Sequence, residues 1–542
     1  MTVGYEIVCR LKPYIQPFER NLALKELEAL TGAVPTPETT VDLPTDSLVY
    51  RVMTTQSPTY LADRLTYWEQ LYPDGNPFTR QLTRQVKREA TANIVRNGIP
   101  PEQLQAILPF QQEAPLPNRR NLRYGPHGIH EYRGKFFPQL VRSLLNISGV
   151  GSDSMILDPM CGSGTTPTEA VLLGCQAIGL DLNPLSVLMS RAKCASLMIH
   201  PDELIKAYQS LKVELLQAAA LSTYLPWFES LSPQDQAYLS HWFAPQVLAA
   251  LDPIAVHIKN AKHSACRLLF QVTLSNILRR VSWQKDDDLR VRKEIQPNRE
   301  VDVMAEFLAE LNRSVKTILA LLYENQDFPV GQATIIEGNA RQADQLLTGQ
   351  RGRIDAIITS PPYATALPYL DTDRLSLCYL GLLPRPQHRQ RDYQMIGNRE
   401  ITERQRQLNW QEYQQRRTEL PDEITRVIDL IDTLNRQADV GFRRRNLPAL
   451  LARYFLDMQQ VFKIFIKLLK PGAPAYVVVG NNHTIAGGQR VEIETDKLLA
   501  YLGESVGLRL VEKLSMEMLV SRDIFKENAS SSETILFFKN QP

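Results

Sequence analysis

Residues 154–193 read SMILDPMCGSGTTPTEAVLLGCQAIGLDLNPLSVLMSRAK. The apolar run Met155 to Leu157 predicts a strand, and the glycines after it predict a loop. Pro167 suits the first turn of a helix, where a proline's missing N–H would have no partner anyway. Ala177 to Leu180 predict a second strand ending in Asp181, followed by a second helix. Strand, glycine loop, helix, strand, helix is the opening of a doubly wound α/β sheet. Such sheets bind ligands at the C-terminal ends of their strands, which is where Asp158 to Thr166 fall.

Downstream, the periodicity turns helical for more than a hundred positions, so residues 201–332 are expected to form a helical insertion. The sheet is expected to resume at ATIIEGNARQ, whose strand end carries Glu337, Gly338 and Asn339, and to continue through IDAIITSPPY, a fourth strand running into Ser360. Residues 383–448 are rich in arginine and charge and poor in apolar spacing, which predicts a second insertion. LLARYFLDMQQVFKIFIKLLKPG then predicts a long amphipathic helix, AYVVVGNN a fifth strand, and ETILFFK a last strand suited to antiparallel pairing at a sheet edge.

Upstream, residues 1–120 mix strand-like pieces (YEIVCRL, SLVYRVM) with helical ones (PTYLADRLTYWEQLY, TRQLTRQVKREATANIVRN) and carry no catalytic spacing, so an N-terminal α+β region of unknown role is expected. APLPNRRNLRYGPHG reads as a strap at a domain boundary. The catalytic domain is then expected over 121–200 and 333–542.

Composition bounds the class. With 542 residues, 44% hydrophobic and 22% charged, the chain is too long for one ordinary core and too apolar to be largely disordered. No apolar run reaches the roughly 20 residues that span a bilayer, and the start lacks a signal-peptide core, so a cytoplasmic protein with no membrane partner is expected. Six cysteines without a CxxC pair suggest neither zinc ribbon nor disulfide framework. No carboxylate cluster suggests a metal. A net charge of +2 means that any nucleic-acid surface must be local.

Two motifs carry the chemistry. The loop from Asp158 to Thr166 lacks GxGxxG and GxxxxGK[ST], against a nicotinamide fingerprint and a phosphate-cradling loop, while Asp158 suits a cationic, phosphate-free ligand such as S-adenosylmethionine. Asp181 could accept from ribose hydroxyls. The plainer alternative is that Gly162 and Gly164 only build a tight turn. Ser360-Pro361-Pro362-Tyr363 follows the fourth strand, and its prolines stiffen the turn. An exocyclic base nitrogen is a poor nucleophile, because its lone pair is delocalised into the ring. The Ser360 hydroxyl and Pro361 carbonyl could accept its hydrogens, and Tyr363 offers a face on which a base swung out of a duplex could stack. Taken alone, the four residues could equally be a chance turn.

DPMCGSGTT and TSPPY, with HEYRGKFFPQLVRSLL upstream, resemble the amino-methylating DNA methyltransferases, the cytosine-N4 and adenine-N6 family. The resemblance implies a Rossmann-like catalytic domain, S-adenosyl-L-methionine as cofactor, and double-stranded DNA with a flipped target base as substrate. It implies that Asp158, Cys161, Gly162, Gly164, Thr165 and Asp181 hold the cofactor, that Asn339 replaces the family's usual Asp beside the adenine ring, and that Lys135, Phe136 and Pro138 match the motif closing over the methionine part. Ser360 at the first catalytic position is closer to the cytosine-N4 type. A cognate restriction endonuclease is a further partner to be expected. The glycine loop also resembles that of RNA guanosine-N2 methyltransferases, and a catalytically silent DNA-binding scaffold is the alternative from another class. Recognition is expected in the insertions: Arg279 to Lys293 is locally basic, and so is the stretch holding Arg389, Arg391, Arg404, Arg406, Arg416, Arg417 and Arg443 to Arg445.

Overall fold

The computed structural model describes residues 4–38, 48–95, 98–108, 121–132, 134, 137–218, 224–285, 292–295, 300–325, 327–364, 369–517 and 532–541. Five strands near the N-terminus, β1 (Tyr5–Leu11), β2 (Thr36–Pro37), β3 (Val49–Thr54), β4 (Trp68–Pro73) and β5 (Gln81–Leu82), form an antiparallel sheet ordered β2-β3-β1-β4-β5. The helix expected across 58–72 does not run that far. Only Pro58–Arg64 is helical, and Trp68–Pro73 pairs with β1, because Trp68 and Leu71 are buried in the core beneath that sheet.

The larger sheet follows the expected order of elements. Its strands are β6 (Met155–Asp158), β7 (Gln176–Asp181), β8 (Ala333–Glu337), β9 (Ala356–Thr359), β10 (Pro474–Gly480), then, after a hairpin of β11 (Asn482–Ala486) and β12 (Gln489–Ile493), β13 (Leu508–Glu517) and β14 (Ser532–Asn540). The spatial order is β13-β14-β10-β9-β6-β7-β8, with β6 to β10 parallel and β14 antiparallel to both its neighbours. The last strand is therefore interior, not at the edge. β13 covers its outer side, and Leu536 and Phe538 pack under it.

Alternation along the strands divides the interior. Ala475, Val477 and Val479 of β10 face a core built on the helix Phe442–Leu468, whereas Tyr476 and Val478 face one shared with the N-terminal region, including Ile7, Phe18, Leu22 and Trp68. The N-terminal sheet and the helix Pro17–Thr31 thus share a core with this side of the larger sheet, together with the helices Pro138–Ile147 and Thr165–Leu172. A buried polar seam reinforces that contact. Glu169 accepts from Tyr124 Oη at 2.7 Å and pairs with His127 Nε2 at 2.9 Å and Arg142 at 3.5 Å, while Arg142 Nη2 donates to Asp63 O at 2.6 Å.

The helices between Pro201 and Asn325 build a third core, against the helix Pro184–Ser196 and residues 370–383. The 383–448 stretch proves less polar than its composition suggests. Ile424, Ile428 and Ile431 form a buried stripe on the helix Asp422–Arg436, and Tyr413 is buried on Glu403–Arg416. The following helix begins at Phe442 rather than after Pro448. Pro448 cannot donate to the carbonyl of Arg444, and the Asn435 side chain does so instead, at 2.8 Å. No helix among the described residues is long and apolar enough to cross a membrane.

Candidate active site

The loop after β6 is shaped by contacts that only small residues allow. Gly162 and Gly164 have φ of 49° and 80°. A Cβ on Gly164 would lie 2.6 Å from Ser190 Oγ, and one on Gly162 3.0 Å from the Tyr132 ring. Cys161 N–H donates to Leu180 O at 2.8 Å and Gly162 N–H to Asp181 Oδ2 at 2.8 Å, which fastens the loop to the end of β7. Ser190 Oγ donates to Gly162 O at 2.8 Å from the helix behind, and the buried Lys193 donates to Ser163 Oγ at 3.1 Å.

Above this loop is a cleft that opens to solvent. Cys161, Gly162, Thr165, Asp181, Asn339, Ser360 and Pro362 all line it. Asp158, Gly164, Pro361 and Tyr363 do not. Asp158 is fully buried beneath the loop and takes the Met160 N–H at 3.2 Å, so it shapes the turn from below rather than meeting a ligand. Lys135 and Phe136 lie outside the described residues.

Burial pushes the Asp158 carboxyl up to about 7 and that of Asp181 up to about 6, the latter against the N–H groups of Asn183 and Gly162. Asp181 keeps acceptor capacity beyond its backbone donors, since a carboxylate offers about four lone-pair sites. Asn339 Oδ1 accepts the backbone N–H and the Nε of Arg341, both at 3.0 Å, and caps the short helix that follows.

Met395 and Ile396 complete the cleft, and no sequence pattern singled them out. They come from the stretch expected to be an insertion, and two arginines bind that stretch over the strand ends. Arg341 donates to Gln394 O at 2.5 Å and Asp457 at 2.7 Å, and Arg391 to Leu182 O and Glu337 Oε1, each at 2.6 Å. An acid at the end of β7, an amide at the end of β8 and apolar side chains between them suit a ribose and an adenine ring, so these residues fit S-adenosylmethionine.

The arginines divide into two groups. Arg406, Arg416 and Arg417 are spent on carboxylates of their own helices or neighbouring ones, and Arg280 pairs with Glu310 at 3.0 Å. Arg443, Arg444 and Arg445 are exposed and form no ion pair with a described residue, in the first turn of a helix with no acidic residue there. Part of the basic stretch around Arg279, residues 286–291, lies outside the described residues.

A family model described as UPF0020, an RMKL-like methyltransferase domain, matches residues 130–209. The chain is 23% identical over 422 residues to the type II methyltransferase M.BsoBI of Geobacillus stearothermophilus, covering 71% of this chain and 79% of that one. It is 24% identical over 397 residues to the type II methyltransferase M.MvaI of Kocuria varians, covering 69% and 80%. A stretch of 52 residues, 10% of this chain and 16% of the relative, is 42% identical to the tRNA (guanine(10)-N2)-dimethyltransferase of Methanothermobacter thermautotrophicus. The amino-methyltransferase resemblance is borne out by these matches, and with it S-adenosylmethionine as the cofactor.

Proposed function

We propose that this chain, a methyltransferase that uses S-adenosylmethionine, methylates the exocyclic N4 of cytosine in double-stranded DNA. One observation carries the reading: Ser360 and Pro362, at the end of β9, open onto the same cleft as the glycine loop and Asp181. β9 and β6 are neighbouring parallel strands, so the catalytic motif stands beside the cofactor loop. The similarity to type II methyltransferases supports DNA as substrate.

Bound S-adenosylmethionine supplies an electrophilic methyl group on a sulfonium centre. Asp181 and Asn339 hold its nucleoside end. Ser360 accepts a hydrogen from the target amine and draws the nitrogen lone pair out of conjugation, so that it points at the methyl group. Tyr363 stacks on a base flipped from the duplex. Direct transfer needs no covalent intermediate, and Pro-Pro-Tyr occupies the place where a cytosine-C5 enzyme would present its cysteine. Ser360 favours cytosine-N4 over adenine-N6. Arg443 to Arg445 hold the DNA phosphates, and a cognate restriction endonuclease is the partner such an activity calls for.

The short match to a tRNA guanine-N2 enzyme supports a second reading, guanosine-N2 methylation of RNA through the same cleft. Mass spectrometry of nucleosides from DNA and RNA incubated with enzyme and cofactor separates these. N4-methylcytosine from DNA is expected. N6-methyladenine alone would sink the choice of base, and N2-methylguanosine from RNA alone would sink the choice of substrate. Ser360→Ala is expected to lower kcat by about 100-fold while leaving cofactor affinity intact, as for loss of one positioned acceptor.

A further inference from the structure

The Tyr363 hydroxyl donates to the carboxylate of Glu533, a residue 170 positions further along the chain. Glu533 is at the start of β14 and pairs in register with Gly480, the last residue of β10. Gly480 is where the tyrosine ring comes closest to the sheet, since a Cβ there would lie 3.0 Å from Tyr363 Cε2 and 3.1 Å from Cζ. Three segments thus meet at one point: the turn after β9, the end of β10 and the start of β14.

These contacts restrict different freedoms. Pro361 and Pro362 fix backbone torsions before the tyrosine and leave its two side-chain torsions open. The bare backbone of Gly480 gives the ring a surface to lie against, and Glu533 fixes where its hydroxyl goes. Burial pushes the Glu533 carboxyl up and the Tyr363 hydrogen bond draws it back, so the acid sits where packing alone would favour an apolar residue.

We infer that Glu533 is a positioning residue for the methyl transfer proposed above: by accepting the Tyr363 hydroxyl it holds the aromatic ring, rather than the hydroxyl, ready for the target base. The inference rests on that reading of the Ser360 to Tyr363 motif. It explains why a strand so distant in sequence ends in a carboxylate at this site, and why β10 ends in glycine. It also removes the Tyr363 hydroxyl from the groups that handle the amine's protons.

The test uses the full chain in four forms besides wild type: Glu533→Gln, Glu533→Ala, Tyr363→Phe and the Glu533→Ala/Tyr363→Phe double variant. Glu533→Gln keeps an acceptor and is expected to retain most of the activity. Glu533→Ala and Tyr363→Phe are each expected to lose about 100-fold in kcat, with S-adenosylmethionine affinity unchanged and the double variant no worse than either, as for a misplaced positioning group. Wild-type kcat in Glu533→Ala, or losses that multiply in the double variant, would overturn the assignment. A second readout does not need turnover: the ¹⁹F resonance of 3-fluorotyrosine placed at position 363 should move in Glu533→Ala and stay in Glu533→Gln. An identical resonance in all three proteins would also overturn it. A resonance that moves in a chain whose wild-type form transfers no methyl to DNA would fail the proposed function and leave the Glu533 contact standing.

Discussion

The Gly162 N–H donates to the Asp181 carboxylate at 2.8 Å, joining the loop after β6 to the end of β7 across 19 residues. One carboxylate therefore serves the fold and faces the cleft, and its ionisation bears on both. Burial raises it to about 6. Ribose hydroxyls donate to the charged form, so cofactor affinity should be level above about pH 7 and fall as Asp181 takes up a proton below about pH 6. Asp181→Asn should remove that step and weaken binding about 10- to 100-fold, the worth of hydrogen bonds to a charged acceptor. Titration calorimetry across this range would show it, and an affinity independent of pH in the wild type would refute it.

Asp158 makes a prediction of opposite use. Its carboxyl is fully buried and raised to about 7, above its unfolded value, so the folded protein binds this proton more tightly than the unfolded chain. Stability contributed at low pH is then lost as pH rises from about 4 through 7, by up to roughly 4 kcal/mol at about 1.4 kcal/mol per pH unit. The difference in unfolding free energy between wild type and Asp158→Asn, followed by denaturant titration at several pH values, should shrink and reverse across that window. A constant difference would count against it.

Glu169 behaves the other way. Burial alone would raise it, but His127, Arg142 and Arg88 hold it down to about 2. Its stabilisation is present above the ordinary glutamate range and is lost as pH falls towards 2. Glu169→Gln, which removes the carboxylate that faces His127 and Arg142 in the seam to the N-terminal region, should cost about 3–5 kcal/mol at neutral pH. An unchanged melting temperature would show the seam to be dispensable.

Gly164→Ala forces a side chain into a left-handed backbone and against Ser190, whose Cα and Cβ would each be 2.8 Å from the new carbon. A loss of at least about 2 kcal/mol is expected, with a lower melting temperature and weaker cofactor binding together. Calorimetry that finds the variant as stable as wild type would mean that the loop can relax.

Replacing Arg443, Arg444 and Arg445 together by glutamine should weaken DNA binding at every sequence and lower the slope of log affinity against log salt by about 3. Fluorescence anisotropy over a salt series measures this. An unaltered slope would move the phosphate contacts elsewhere.

Legibility in the sequence followed the range of the interaction concerned. The glycine loop, the strand ends at Asp181 and Asn339 and the turn at Ser360 were all readable, because each depends on backbone torsions and spacing within a few residues. The part of the expected 58–72 helix from Trp68 onward is a strand, since that form depends on pairing with β1 and burial of Trp68 and Leu71. The long helix is expected only from Leu450, because nothing local shows that Asn435 will donate to the carbonyl that Pro448 leaves without a helical partner.

The sequence by itself determined the α/β class, the glycine loop after β6 and the place of the Ser360 turn, through torsions that glycine permits and proline fixes and through alternation with a period of two. Only the tertiary structure decided which distant segments complete the site. Met395 and Ile396 reach the cleft because Arg341 and Arg391 pull their segment over the strand ends, and Glu533 meets Tyr363 because β14 inserts beside β10. Those contacts depend on the order in which strands pack, and sheet order is set by the global burial of both faces rather than by any local pattern.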